Sequence, residues 1–209
     1  SLLRMQGRRI TNPEADRAVQ ESVQRIQAIA VVYELLSREH RDDVDLREIV
    51  AAIVRQMDQV TGAHVMIRLA GSAGRAPSEV ATPLAIVVNE LIQNALDHGF
   101  PRLGEADQPQ ARVWVTLDRR GSKLRIEVVD NGVGVEGEVD ATQGGLGLSI
   151  VSSLVNEELG GSIEIGPRRD RGAGRPGTRA LVEVHLPEPV GPPGLDDPTQ
   201  ELPITGLGA

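Results

Sequence analysis

The chain has no cysteine, and it carries one tryptophan, one tyrosine and one phenylalanine in 209 residues. Without cysteine there are no disulfides, no thiol nucleophile and no Cys-based zinc site, which fits a cytoplasmic location. With aromatics limited to Tyr33, Phe100 and Trp114, stacking of bases on aromatic platforms is not expected as a mode of action. The core must come from Leu, Ile, Val and Ala, and a 40% hydrophobic content is enough for one. A basic excess is also missing: 22 Lys and Arg stand against 30 Asp and Glu, a formal charge of −8. A polyanion would meet net repulsion, so nucleic acid is not expected as a direct partner. No apolar run reaches the roughly 18 to 20 residues of a membrane span, and no signal peptide is visible. The first residue is Ser rather than Met, as expected of a processed chain or a piece of a longer one.

What is present reads as helices, then alternating strands and helices. Ser1 to Arg9 and Glu14 to Arg38 are helical in pattern, divided at Thr11-Asn12-Pro13, where proline removes a donor and Thr/Asn favour a helix start. Val19, Val23, Ile26, Ala30 and Tyr33 form an apolar stripe. It packs either within its own domain or as a two-helix hairpin that dimerises into a four-helix bundle. Asp45 with Glu48 resembles a capping box and opens a helix from Leu46 to Met57. HVMIRLA is a strand, and Thr82-Pro83 reads as the N-cap and first turn of the next helix. Strands follow at Ala111 to Leu117 and Lys123 to Asp130, joined by a hairpin turn at Arg119 to Ser122. A helix from Leu148 to Glu158 closes at Gly160-Gly161, and Ser162 to Gly166 and Thr178 to Leu186 are the last strands. Pro187 to Ala209, rich in Pro and Gly, is expected to be a disordered tail.

Three pieces carry chemistry. In NELIQNALDHGF, Glu90, Asn94, Asp97 and His98 form a polar stripe on an otherwise apolar helix. In VVDNGVGV an apolar strand ends in Asp130, Asn131, Gly132 and Gly134. In QGGLGLSIV glycines lead into a helix whose free N–H groups form an anion site. Singly, each has a plainer reading: a solvated helix face, a turn, a flexible loop. Jointly they supply what a nucleoside triphosphate needs. Asn94 offers an oxygen ligand for Mg²⁺, Asp130 an acceptor for an adenine amine, the glycine pairs close backbone approach, and Val135 to Gly144 a mobile cover. A P-loop and an early GxGxxG are both missing, so neither of those nucleotide folds applies.

In this order the three pieces resemble the N, G1 and G2 boxes of the GHKL ATP-binding domains, the Bergerat fold of histidine kinases, gyrase and the large heat-shock chaperone, over about Val44 to Pro187. The preceding SLLRMQGRR, NPEADRAVQESVQRIQAIAVVYELLS and DVDLREIV resemble the dimerisation and linker region of HWE-like histidine kinases, and are similar to their cytosolic PdtaS-type members in actinobacteria. The implied fold is α+β, an α/β sandwich with a mixed sheet covered by helices on one face. It divides into a partial dimerisation hairpin at 1–40, an ATP-binding catalytic domain at 44–187 and a tail at 188–209. The resemblance implies ATP and Mg²⁺ as ligands. Asn94 would bind the metal through its amide oxygen, and Glu90 would orient a metal-bound water or act as base. His98 would approach phosphate or sugar, and Asp130 would receive the adenine N6 hydrogen bond. Gly132 and Gly134 would keep side chains away from the base. Gly145, Leu146, Gly147 and Leu148 would hold the triphosphate, and Thr178 would sit near the base.

The chain departs from the pattern in places. Val135 to Gly144 is short, lacks the F-box phenylalanine and has no Lys or Arg for the γ-phosphate, and Asp97 stands where many kinases carry a basic residue. Arg168, Arg169, Arg171 and Arg175 read as a solvated basic loop. His40, His64, His98 and His185 are not placed as phosphoacceptors, so the acceptor histidine is expected upstream of Ser1. The implied function is transfer of the ATP γ-phosphate to a histidine and on to a response regulator, by analogy one with an RNA-binding antiterminator output, by a homodimer. Two alternatives stay open: a GHKL serine kinase of the anti-sigma-factor type, and a non-catalytic ATP-binding module.

Overall fold

The computed structural model describes residues 43–61, 64–101, 111–169 and 176–187. The helical stripe of 1–40, His40, Arg171, Arg175 and the tail at 188–209 lie outside the described residues.

The first described elements are β1 (Asp43–Asp45) and α1 (Leu46–Thr61). Asp45 caps α1, its Oδ1 accepting the N–H groups of Arg47 at 2.8 Å and Glu48 at 3.4 Å. Leu46, Ile49, Val50, Ile53, Val54 and Met57 repeat at helical spacing and are all buried. The helix runs one turn beyond the expected Met57, where the Thr61 hydroxyl donates to the Met57 carbonyl.

Then follow β2 (Val65–Ser72), β3 (Arg75–Pro77) and α2 (Ser78–Gly99). β1 and β3 pair antiparallel, burying Val44 and Ala76. Strands of three residues leave no periodicity to read. α2 begins at Ser78 rather than at Thr82-Pro83, which corrects the expected start. The Thr82 hydroxyl is turned back onto the Ser78 carbonyl at 3.0 Å, and Pro83 sits inside the helix. Its missing N–H costs one bond near the helix start. That cost is outweighed by burial of Ala81, Leu84, Ala85, Val87 and Val88, which make this a central helix, apolar on most sides.

The remaining elements are β4 (Ala111–Arg120), β5 (Lys123–Asp130), α3 (Leu146–Ser153), a π-helical turn (Leu154–Glu158), β6 (Ser162–Pro167) and β7 (Thr178–His185). β4 and β5 extend to a tight turn at Gly121-Ser122, with Gly121 at φ +59°. α3 starts two residues before the expected Leu148 and changes pitch at Leu154, where Leu159 N–H reaches back to the Leu154 carbonyl.

The main sheet has the order β2-β4-β5-β7-β6, with β2 parallel to β4 and every other pair antiparallel. Alternate residues such as Val113, Val115, Ile126, Val128, Val182 and Val184 are fully or nearly fully buried. α1 packs on β2 and α2, α2 crosses β4, β5 and β7, and α3 lies along α2. This is the α+β sandwich expected. The other sheet face carries Trp114 and the ion pairs Arg179–Glu127, Lys123–Glu183 and Arg125–Glu183.

One guanidinium fastens the sheet's far end. Arg119 donates to four carbonyls, those of Ala73 (3.2 Å), Arg75 (2.8 Å), Gly121 (3.1 Å) and Pro187 (2.5 Å). Among the described residues no helix is long and apolar enough to cross a membrane.

Candidate functional site

At the opposite end of the sheet a cavity of about 160 Å³ opens between α2, β5, β6, β7 and the 131–148 segment. An apolar cavity of about 150 Å³ accepts a benzene-sized ring, so this one is sized for a flat heterocycle rather than a whole nucleotide. Its walls are mostly apolar: Leu91 and Ala95 from α2, Val128 from β5, Ile165 from β6, Ala180 from β7, and Val135 and Val139 from the loop. Polar groups enter at four points: Asn94 and His98 on α2, Asp130 at the end of β5, and Thr178 at the start of β7.

Asp130 is 3% exposed. Its Oδ1 accepts the backbone N–H of Gly132 at 2.7 Å and of Thr178 at 3.2 Å, which fixes the carboxylate plane and leaves Oδ2 outside both bonds. Burial pushes its carboxyl above the ordinary range, opposed by those N–H groups, the Thr178 hydroxyl and the positive charge of Arg168. A buried carboxylate in an apolar cavity awaits a donor.

The Asn94 Nδ2 is buried without a hydrogen-bond partner. Glu90, one turn earlier, is buried at 5% exposure beside Asn89 and is not on the cavity wall. Asp97 and His98 are exposed, and the Gln93 amide donates to Asp97 at 2.9 Å, so Asp97 belongs to the solvated face. The quoted stripe thus divides into a buried acid, a half-buried amide, a cavity-lining imidazole and a surface acid.

The glycines act through backbone contact. A Cβ on Gly132 would stand 2.2 Å from the Gly99 carbonyl oxygen, so Gly132 lets two chain segments touch behind the cavity rather than lining it. Gly134 lines the cavity at φ +75°, a left-handed conformation that disfavours a side chain. Gly145 is the N-cap of α3 without a side-chain cap, and the first intrahelical bond is Ser149 N–H to its carbonyl at 3.1 Å. The N–H groups of Leu146, Gly147 and Leu148 are therefore free of intrahelical partners. Leu148 lines the cavity, while Leu146 is 60% exposed and neither Gly145 nor Gly147 reaches the wall.

The 135–144 cover is more ordered than its composition suggests. Val139 N–H bonds the Ile165 carbonyl at 2.9 Å, and Asp140 gathers Thr142 and Gln143 into a turn. The Thr142 hydroxyl, first among these donors, holds the Asp140 carboxyl below its ordinary range. Sequence reading missed the apolar walls, because inward-facing strand residues look the same whether they meet a helix or a ligand. It also missed Gly99 as the surface that Gly132 requires, although the HG pair at the end of the quoted helix was a visible signal.

This arrangement defines a class: an α+β domain whose heterocycle-sized cavity lies between the sheet and a central helix, with one buried acid facing an apolar slot. Residues 79–190 match the family model described as histidine kinase-, DNA gyrase B-, and HSP90-like ATPase, and the chain belongs to that family. Its domain is an ATP-binding one. Residues 1–61 match a second model described as histidine kinase. The chain is similar to the sensor histidine kinase PdtaS of Mycobacterium tuberculosis, 35% identical over 175 residues. That alignment covers 82% of this chain and 34% of the relative. The corresponding protein of Mycolicibacterium smegmatis is 36% identical, over 78% of this chain and 32% of the relative. The chain thus spans about a third of the length of these relatives. In fold it resembles the histidine kinase domain of the Erythrobacter litoralis EL346 blue-light activated histidine kinase, with a TM-score of 0.64 at 21% identity, covering 88% of this chain and 90% of that one.

Proposed function

We propose that this chain is the ATP-binding core of a sensor histidine kinase, which transfers the γ-phosphate of ATP to a histidine and from there to an aspartate of a response regulator. The observation that carries the reading is Asp130: a carboxylate, locked by two N–H donors, facing an apolar cavity the size of one heterocycle. Its Oδ2 accepts the exocyclic amine of adenine, and Thr178 flanks the base. The α3 start at Gly145 to Leu148 takes the phosphates with free N–H groups. His98, exposed at the cavity edge, contacts phosphate or sugar.

The orphaned Asn94 amide fits a polar ligand in this site, and rotating the amide presents oxygen in place of nitrogen. Asn94 would hold Mg²⁺ through that oxygen, with Glu90 joining through water, and the ion supplies neutralisation of phosphate charge. With one side-chain oxygen from Asn94, a hard ion held here would take its remaining ligands from water and phosphate oxygens. In the protein's own contribution, Glu90, buried one turn behind Asn94, would orient a metal-bound water or act as base, Asp130 fixes the adenine, and α3 meets the charge developing on the phosphates.

The match of residues 1–61 to a histidine kinase model supports assigning 1–40 to a dimerisation and phosphotransfer hairpin and a homodimer, and the match of 79–190 to the ATPase model supports assigning 44–187 to ATP binding. The match of 1–61 also weighs against a serine kinase of the anti-sigma type. An RNA-binding antiterminator as the regulator's output rests on analogy to the PdtaS-type kinases alone. Calorimetry of Mg·ATP binding to the wild-type and Asp130→Ala chains tests the pocket: wild-type binding that is lost in the variant supports it, and full affinity in the variant overturns it.

A further inference from the structure

Arg168, which the sequence presents as part of a solvated basic loop, is half-buried and built into the far face of the sheet. Its Cζ lies 5.3 Å from the centroid of the Trp114 ring, a cation–π distance. Trp114 is on β4, its register partner is Val129 on β5, and Asp130 is the next residue. From the end of β6 to that ring, Arg168 therefore crosses the beginning of β7 and the end of β5. On the way its backbone N–H bonds the Gly177 carbonyl at 3.1 Å, and its Cδ passes where a Gly177 side chain would begin, 3.2 Å from that position. Gly177 and Thr178 also bond the nucleotide site. Gly177 N–H donates to the Gly132 carbonyl at 3.2 Å, Thr178 N–H donates to Asp130, and a Cβ on Gly177 would stand 2.2 Å from the Asp130 carbonyl oxygen. Arg168 Cδ and the Asp130 carbonyl oxygen thus lie on the same side of Gly177, and Arg168 lies across the seam where Gly177 and Thr178 meet Asp130.

The geometry points to Arg168, stacked on Trp114, as a positioning residue for nucleotide binding: it straps Gly177 and Thr178 against Asp130 and so fixes the carboxylate that reads the base. The inference rests on Asp130 as the acceptor of the adenine amine. Its charge acts in the same sense, favouring the ionised, accepting form of Asp130 against burial. Arg169, the neighbouring cation, is exposed, and among the described residues it stacks on no ring.

The test uses the 209-residue chain with ATP and with purine riboside triphosphate, which lacks the amine, both titrated by calorimetry. Arg168→Gln and Trp114→Leu each raise the ATP Kd about two- to fivefold, the size of one cation–π contact at a partly exposed site. The analogue's Kd stays unchanged. The double variant is no worse than either single one, and Trp114→Phe, which keeps a ring, restores ATP affinity. Wild-type ATP affinity in Arg168→Gln, equal losses on both nucleotides, or additive losses in the double variant would overturn the strap while leaving the Asp130 reading intact. Equal affinity of the wild-type chain for ATP and the analogue would overturn the Asp130 reading and the strap with it.

Discussion

Replacing Asp130 by Asn separates the stability of the site from its function, and the two should move in opposite directions. Asn keeps an Oδ1 for the N–H groups of Gly132 and Thr178, now at 2.7 and 3.2 Å, while the Thr178 hydroxyl can turn to accept from the new amide. The buried negative charge disappears. Because burial raises the folded-state pKa above the ordinary carboxylate value, the native state binds the extra proton more readily than the unfolded chain. Stability from this group is thus greatest below the unfolded pKa and falls as pH rises through the folded one. Asp130→Asn should therefore melt above wild type at neutral pH, and the gap should close on acidification across that window. ATP affinity should go the other way. A hydrogen bond to a charged acceptor contributes about 1.5–3 kcal/mol, so its weakening predicts a loss of about 10- to 150-fold at 1.4 kcal/mol per decade. Wild-type affinity should itself fall as pH drops through the Asp130 titration. Thermal melts from neutral to mildly acidic pH, with calorimetric ATP titrations on both chains, measure all of this. A variant melting several degrees lower would refute the burial argument, and unchanged ATP affinity would refute the assignment of the base.

Asn94→Leu removes an orphaned buried amide, whose desolvation costs about 1–3 kcal/mol. It should raise the apo melting temperature while making nucleotide affinity insensitive to added Mg²⁺, and a variant still responsive to the ion would count against Asn94 as ligand. Gly132→Ala forces a methyl onto the Gly99 carbonyl, so urea unfolding should show a loss of about 1–3 kcal/mol; a neutral result would mean the two segments separate freely. Autophosphorylation with radiolabelled ATP should be undetectable on the 209-residue chain, in which none of the four histidines is placed as the acceptor. Label on the chain as it stands would reveal an acceptor among its own four histidines.

Much of this site was legible because its polar residues break an apolar pattern. Asn94 on the largely buried stretch of a central helix, and Asp130 ending a run of Val, cost free energy unless a ligand repays it, and such conflicts stand out in sequence. The sheet was legible for a related reason, since its strands alternate cleanly. What stayed hidden depended on contacts between distant segments. Thr82-Pro83 carries a helix-start signal that the burial of Ala81 and its neighbours overrides. The role of Gly132 is set by Gly99, thirty-three positions away in the chain, and not by the base. Arg168 looks like its neighbours until Trp114 is placed beneath it.

The four carbonyls gathered by Arg119 give the sheet the mechanics of a cantilever. The β2–β3 link, the β4–β5 turn and the chain leaving β7 are clamped together at one end, while Asp130 and Thr178 sit at the free end. The cavity and its cover lie at the end of the sheet away from this clamp, and a label or tether fixed at Gly121-Ser122 would ride on the clamped end.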